Sequence, residues 1–436
     1  IDNKCKFALF LCFREKRKMG YVCEHEDNYG KISVITPFFP PESQSYLLLL
    51  RQIYETIILY SMANVIKLRK GLDINLKGKA AETYTTVKEP GFYALVPDDF
   101  PGVTPKVLVK EQEYVMAGGP LFIDKYHPEI KFVSPVSGVV TSVERGARRK
   151  VLNIVVEAAT EQDYEEFGKK NVATMDAEAV KNALLEAGLF AFIRQRPYDI
   201  IADPTVTPKG IFVSAFDTNP LAPDFEFALK GEEANFQTGL DALAKLAKTY
   251  LSISVKQNAA ALTQAKNVTI TAFDGPNPAG NVGVQINHLD PVSKGETVWT
   301  IDPQAVIFIG RLFNTGRVNF TRTVAVTGSE VLKPAYCKLQ VGALLTNVFA
   351  GNVTKDSTHQ HRIIQVIGIL DTSSFHPISC NVSVINPFVP FAESIWSFSP
   401  PPMTEAVEKN GLHGDRNSIV SIEIAKTCSD VIDGVI

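Results

Sequence analysis

A lysine that follows an aspartate at a β-hairpin tip can carry an acyl arm, because the exposed amine forms an amide and swings the attached group between sites. Asp124 and Lys125 stand in such a setting, within KVLVKEQEYVMAGGPLFIDKYHPEIKFVSPVSGVVTSVERG at 106–146. Nucleotide binding is a second chemistry to weigh, and it needs a glycine-rich turn whose backbone N–H groups reach the phosphates. Neither GxGxxG nor GxxxxGK[ST] occurs. The bend EAGLFAFIRQRPYD, at 186–199, sits where we expect a phosphate turn. It holds one glycine, and Phe190, Phe192 and Ile193 would fill the phosphate space. Phe190, Phe192 and Phe216 are candidates for a slot that takes a flat apolar ring or a partner surface; ordinary core packing is the competing reading.

Metal and thiol chemistry find little support. The six cysteines leave residues 24–336 empty and form no CxxC, which argues against thiolate clusters and structural zinc. His359 and His361 form an H-x-H with no acid beside it, read here as a solvated loop, and His288 reads as a structural or interface histidine. RGARRK, at 145–150, fits a solvated hairpin tip or a contact with lipid headgroups or an acidic partner. HExxH is absent.

The elements that must position these residues differ along the chain. Residues 62–160 alternate in short runs split by turns: Val107 and Val109, Val115, then Leu121 and Ile123. MAGGP offers two glycines for positive φ, and SPVSGVV repeats the pattern, so a flattened sandwich of short strands is expected. Residues 176–315 alternate helices with strands, which predicts an α/β layer with a largely parallel sheet. Asp176 is the expected N-cap of a helix that Gly188 stops. NFQTGLDALAKLAKTYLSI is read as one helix with Phe236, Leu240, Leu243, Ala247 and Tyr250 on a face. At 316–363, strand, turn, strand and helix read as the opening of a β-grasp domain.

The bulk numbers agree with a multidomain α+β and α/β chain. There are 436 residues with a formal net charge of −3, so no basic footprint for nucleic acid exists. SYLLLLRQIYETIILYS, at 45–61, carries Arg51 and Glu55 and is too short to span a bilayer. Cysteine usage points to a reducing, cytoplasmic setting. Residues 1–61 lack a consistent period and Met62 is the first convincing start, so 1–61 is read as upstream sequence translated through a missed start, with a real but poorly ordered extension as the alternative. Residues 364–436 turn rich in Ser, Pro and isolated apolars, an atypical tail that a frameshift near 364 would explain.

Residues 106–146 resemble biotinyl/lipoyl carrier domains through KEQEYVMAGGPLF and SPVSGVV. The lysine tip departs from that pattern: bulky Tyr126, His127 and Pro128 follow Lys125, and the interval to PVSG is longer. We expect Lys125 to be unmodified; a lipoyl or biotinyl carrier is the alternative. Taken in order, the modules resemble the NqrA family of the sodium-translocating NADH:quinone oxidoreductases, over about 62–363. The carrying stretches are IKLRKGLDINLKGKA, PDDFPGVTPKVLVKE, FVSPVSGVVTSVERGARRKVLNIVVE, NHLDPVSKGETVWTIDPQAVIFIGRLF and RTVAVTGSEVLKPAY. The resemblance implies a biotinyl/lipoyl-like β-sandwich, a Rossmann-like domain lacking a nucleotide loop, and an SLBB-like β-grasp segment. It implies a cofactor-free peripheral subunit on the cytoplasmic face of the bacterial inner membrane, partnered by the other subunits of a complex that uses NADH, flavins and quinone. Quinone at Phe190, Phe192 and Phe216 is a candidate ligand. Related Rnf-type and complex I subunits bind cofactors through a GxGGAGFP loop, so a flavin- or NADH-binding oxidoreductase subunit is the alternative function.

Overall fold

Where β-branched runs meet glycine and proline, the chain forms short strands rather than helices. The computed structural model describes residues 22–27, 30–35, 64–88, 91–328, 331–349, 351–352, 363–367 and 381–384.

The sandwich forms as its alternation predicts. Phe92–Leu95, Val151–Ala158, Gly138–Arg145 and Tyr114–Val115 make one antiparallel sheet, and Pro105–Val107, Pro120–Asp124 and Lys131–Val133 make the other. Leu121, Phe122, Phe132, Val140 and Ile154 fill the core, with the Phe122 and Phe132 rings stacked at 4.4 Å. Of the two glycines in MAGGP, only Gly118 takes a positive φ, at 95°; a Cβ there would meet Val318 at 2.9 Å.

The second module is a seven-stranded sheet. Its strands are β1 (Asn64–Lys67), β2 (Ile193–Arg196), β3 (Ile200–Ile201), β4 (Ile211–Ser214), β5 (Thr249–Ser254), β6 (Thr269–Asp274) and β7 (Val298–Ile301), in the order β3-β2-β7-β4-β5-β6-β1. From β7 to β1 all neighbours are parallel; β2 pairs antiparallel with β7 and β3. The main helices are α1 (Ala177–Glu186), α2 (Glu233–Leu246), α3 (Val282–Leu289) and α4 (Pro303–Thr315). Asp176 caps α1 through a 2.8 Å bond from the Ala179 N–H, and Gly188 follows its end at φ 69°. The best sequence helix is shorter than expected: α2 stops at Leu246, and Tyr250 lies in β5, not on the helix face. Thr249–Ser254 is dense in β-branched and aromatic side chains, and Tyr250 stacks at 4.6 Å on Phe212 of the parallel neighbour β4.

β1 adds a parallel edge strand beside β6, although the sequence placed it with the sandwich. Ala81–Tyr84 pairs with β9 (Ala335–Gln340) of the third module, whose other central strand is β8 (Thr321–Thr327). Residues 64–84 thus tie the second and third modules before the sandwich begins. The third sheet also continues past 363, through Ile363–Ile367 and Asn381–Val384. Val22–Asp27 and Gly30–Ile35 pair as a hairpin in the leader. The remaining leader and tail expectations, with His359 and His361, lie outside the described residues.

Candidate functional site

Three parallel strands end together and leave a crevice beyond them. Backbone hydrogen bonding is exhausted at the carboxyl ends of β4, β5 and β6, and the chain must turn away there; in open α/β sheets ligands sit in such crevices. The cavity measures about 460 Å3 and is lined by the turns after all three strands, with Asp73, Ile74, Asn75, Leu76 and Lys79 along one side. Phe216, on the first turn, lines the cavity with Phe225 and Phe273; it is itself buried and packs against Phe273 with ring centres 6.4 Å apart.

The turn after β6 has the outline of a phosphate loop: strand, then GPNPAGN at 275–281, then α3. Several of the donors in and just after it are already engaged. The Asn277 N–H donates to the Asp73 carboxylate at 2.8 Å, and the Gly280 N–H to the Thr218 hydroxyl at 3.0 Å. The Gly283 N–H, in the first turn of α3, donates to Asn281 Oδ1 at 2.8 Å. Close packing enforces this arrangement: a Cβ on Gly280 would come within 2.5 Å of the Thr218 nitrogen, and one on Gly275, at φ 142°, within 2.4 Å of the Leu68 oxygen. Gln285, fully buried on α3, bonds Ser214 at 2.9 Å and the Ala279 carbonyl at 3.1 Å, locking the loop to β4. Gln257 fixes the turn after β5 by donating to the Ala215 carbonyl at 2.8 Å and accepting from the Ser254 N–H at 2.9 Å.

Charge points the same way. Asp73, Asp217, Asp224, Glu226 and Asp274 line the crevice against Lys79 and Lys256. An acidic wall repels phosphate, and a carboxylate at the Asn277 amide competes with it directly. A flavin or dinucleotide phosphate therefore does not fit these residues. The crevice offers apolar walls and acceptors to a neutral or cationic group.

The three aromatic candidates part company. Phe190 is fully buried and meets Trp299 edge-on at 5.5 Å; Phe192 packs on Phe308 and Phe320 at 5.6 Å; only Phe216 reaches the crevice. The 186–199 bend also differs from its expected place. It leads from α1 through a 3-10 turn at Leu189–Phe192 into β2, helix to strand, whereas a phosphate turn leads from strand to helix. Its aromatic side chains fill core. Sequence reading missed the 275–281 loop because its glycine spacing matches neither phosphate fingerprint; the Gly and Pro density directly after FD was the available signal.

Lys125 opens the 125–130 connection between Pro120–Asp124 and Lys131–Val133. The Asp124 carboxylate is turned inward and accepts from the Thr104 N–H at 3.0 Å, while the Lys125 N–H donates to the Thr104 carbonyl at 2.8 Å. The amine extends past the exposed Tyr126 ring, 6.0 Å from its centre. His288 bonds the Val284 carbonyl on its own helix at 2.8 Å. RGARRK forms the expected hairpin tip, between strands ending at Arg145 and starting at Val151. No group of three metal-ligating side chains occurs among the described residues.

Three family models match in the order of the modules: the NqrA N-terminal barrel-sandwich hybrid domain over 66–159, the NqrA second alpha/beta domain over 175–318 and the NQRA C-terminal domain over 323–365. The chain is 35% identical over 303 residues to the NqrA subunit of the Na(+)-translocating NADH-quinone reductase of Saccharophagus degradans, covering 69% of this chain and 67% of that one. The corresponding protein of Pseudomonas aeruginosa is 35% identical over 293 residues, 66% of this chain and 65% of that one. That of Neisseria meningitidis gives 35% over 292 residues, with the same shares. The match thus spans about two thirds of the length of these relatives. With three domain models in one order and this identity across them, the chain belongs to the NqrA family.

Proposed function

We propose that this chain is a peripheral subunit of a sodium-translocating NADH:quinone reductase, lying at the cytoplasmic face of the membrane and binding no flavin or nicotinamide itself. Its contribution is architectural: three interlocked domains present the carboxyl-end crevice to partner subunits, and the Phe216 wall is the candidate surface for a quinone ring. The observation that carries this reading is the ordered match of all three domains to NqrA. The engaged loop donors and the acidic crevice support the absence of a nucleotide cofactor. Among the described residues no helix is long and apolar enough to cross a membrane, in keeping with a peripheral place.

Co-purification tests it. The full chain, mixed with detergent-solubilised membrane subunits of its complex, is expected to elute with them as a colourless partner. A chain that stays apart, or that carries flavin absorbance of its own after purification, contradicts the reading.

A further inference from the structure

The segment joining β1 to Ala81–Tyr84 is pinned at both ends and unpaired between. At one end the Leu72 N–H donates to the Asn277 carbonyl at 3.0 Å, and the Asp73 carboxylate accepts from the Asn277 N–H. At the other the Gly328 N–H donates to the Gly78 carbonyl at 3.2 Å, with Gly78 at φ 92°. The chain runs without turn or bend from Gly71 to Leu76. Among the described residues, no hydrogen bond engages the backbone of Ile74, Asn75, Leu76 or Lys77. Ile74 and Leu76, at alternate positions, line the crevice and remain 44% and 45% exposed.

We propose that this strap is a docking edge for an extended basic segment of a partner protein, held by strand addition with its cations over the crevice. An open run of backbone donors and acceptors is a template for a further strand. In that mode main-chain hydrogen bonds supply affinity, and contacts to alternate side chains supply the choice of partner. Apolar side chains of the segment cover Ile74 and Leu76. Charge sets the sign of the rest. Asp73, Asp217, Asp224, Glu226 and Asp274 line the crevice against Lys79 and Lys256, five carboxylates to two ammonium groups. Lys67 offsets one more by pairing with Asp274 at 3.4 Å, and the balance stays negative. The strap's other cations, Arg69, Lys70 and Lys77, stand outside that lining. A cation over the crevice is drawn by several carboxylates at once, and an acidic segment is repelled. This docking edge rests on the partner role proposed above and adds the chemistry of the segment that the crevice takes.

Titration of the full chain into the fluorescein-labelled peptide Lys-Val-Lys-Val-Lys-Val-Lys, followed by anisotropy, decides it. Binding is expected and weakens as salt rises, and the peptide Glu-Val-Glu-Val-Glu-Val-Glu is expected not to bind. Ile74→Pro removes a backbone donor that no described residue uses, and is expected to weaken binding about fivefold, the worth of one net hydrogen bond. Glu226→Gln is expected to weaken it about threefold. An unchanged circular dichroism spectrum verifies that both variants fold. No binding of the basic peptide, equal binding of the acidic one, or binding that either variant leaves unchanged overturns the proposal. So does self-association of the full chain that Ile74→Pro abolishes with no peptide bound, which assigns the edge to a second copy. Any of these, with co-purification intact, removes the docking edge and leaves the proposed role in the complex standing. Peptide binding without co-purification removes that role and leaves the edge.

Discussion

At the scale of single residues, the second and third modules are held together by buried polar groups. Asp302 caps α4 by accepting from the Gln304 N–H at 3.1 Å, and its second oxygen pairs with Arg322 on β8. Burial pushes the Arg322 guanidinium down to about 10. Gln304 reads the backbone of β8 with both ends of its amide, each bond to Thr323 at 2.8 Å. Removing one member of a buried pair strands the other, so Arg322→Met is expected to cost about 3–5 kcal/mol in urea denaturation, and adding Asp302→Asn to recover much of that loss. Arg311 forks onto Glu232 and also donates to the Thr321 carbonyl at 2.7 Å. Burial alone would raise Glu232, but hydrogen bonds from Arg311 and Asn235 outweigh it and hold the carboxyl below the usual range. A carboxyl lowered in the folded state stabilises above its unfolded pKa, and that stability is lost as pH falls through the folded value. Arg311→Met should therefore lose about 2 kcal/mol near neutrality. The gap to wild type should narrow below about pH 4 to the part owed to the Asn319 and Thr321 carbonyls, read from urea midpoints across pH. The inward Asp124 and the long connection after it predict that Lys125 stays unacylated, checked by the intact mass of the natural protein.

At the scale of elements, the crossing of α2 and α4 is set by two glycines. A Cβ on Gly310 would lie 1.7 Å from the Asn235 carbonyl oxygen, and one on Gly239 2.1 Å from that of Val306. Alanine at Gly310 gains about 1 kcal/mol of helix propensity and loses more by forcing the helices apart. The expected net effect is a loss of at least about 1–3 kcal/mol, visible as a lower thermal midpoint. Element types were well marked in the sequence wherever caps or alternation stood out: Asp176 and Gly188 bracket α1, and the sandwich strands fall on their alternating runs. The run from Asn235 to Ile253 misled because helical spacing continues through Ala247 while the side chains change to β-formers at Thr249. Tertiary pairing with β4 decided that conflict, and periodicity alone could not.

At the scale of the whole molecule, the order of three domains was legible and their interlacing was not. Residues 64–84 supply one edge strand to the parallel sheet and another to the third sheet, contacts made across some 200 residues and invisible to local pattern. The same is true of the crevice: Asp73, Thr218 and Asn277 look unrelated in the sequence, yet they occupy one loop's donors and acceptors. Phe190 and Phe192 could not be told from Phe216 without knowing which side of the sheet each turn faces. The tightest check on the proposed role, a cofactor-free α/β scaffold serving a sodium pump, is reconstitution. Membrane subunits stripped of their NqrA component are placed in proteoliposomes, and NADH-driven sodium uptake is followed with and without the full chain. Uptake and quinone reduction are expected to return on adding the colourless protein; uptake that stays at the stripped level while the chain is folded and present would contradict the proposed role.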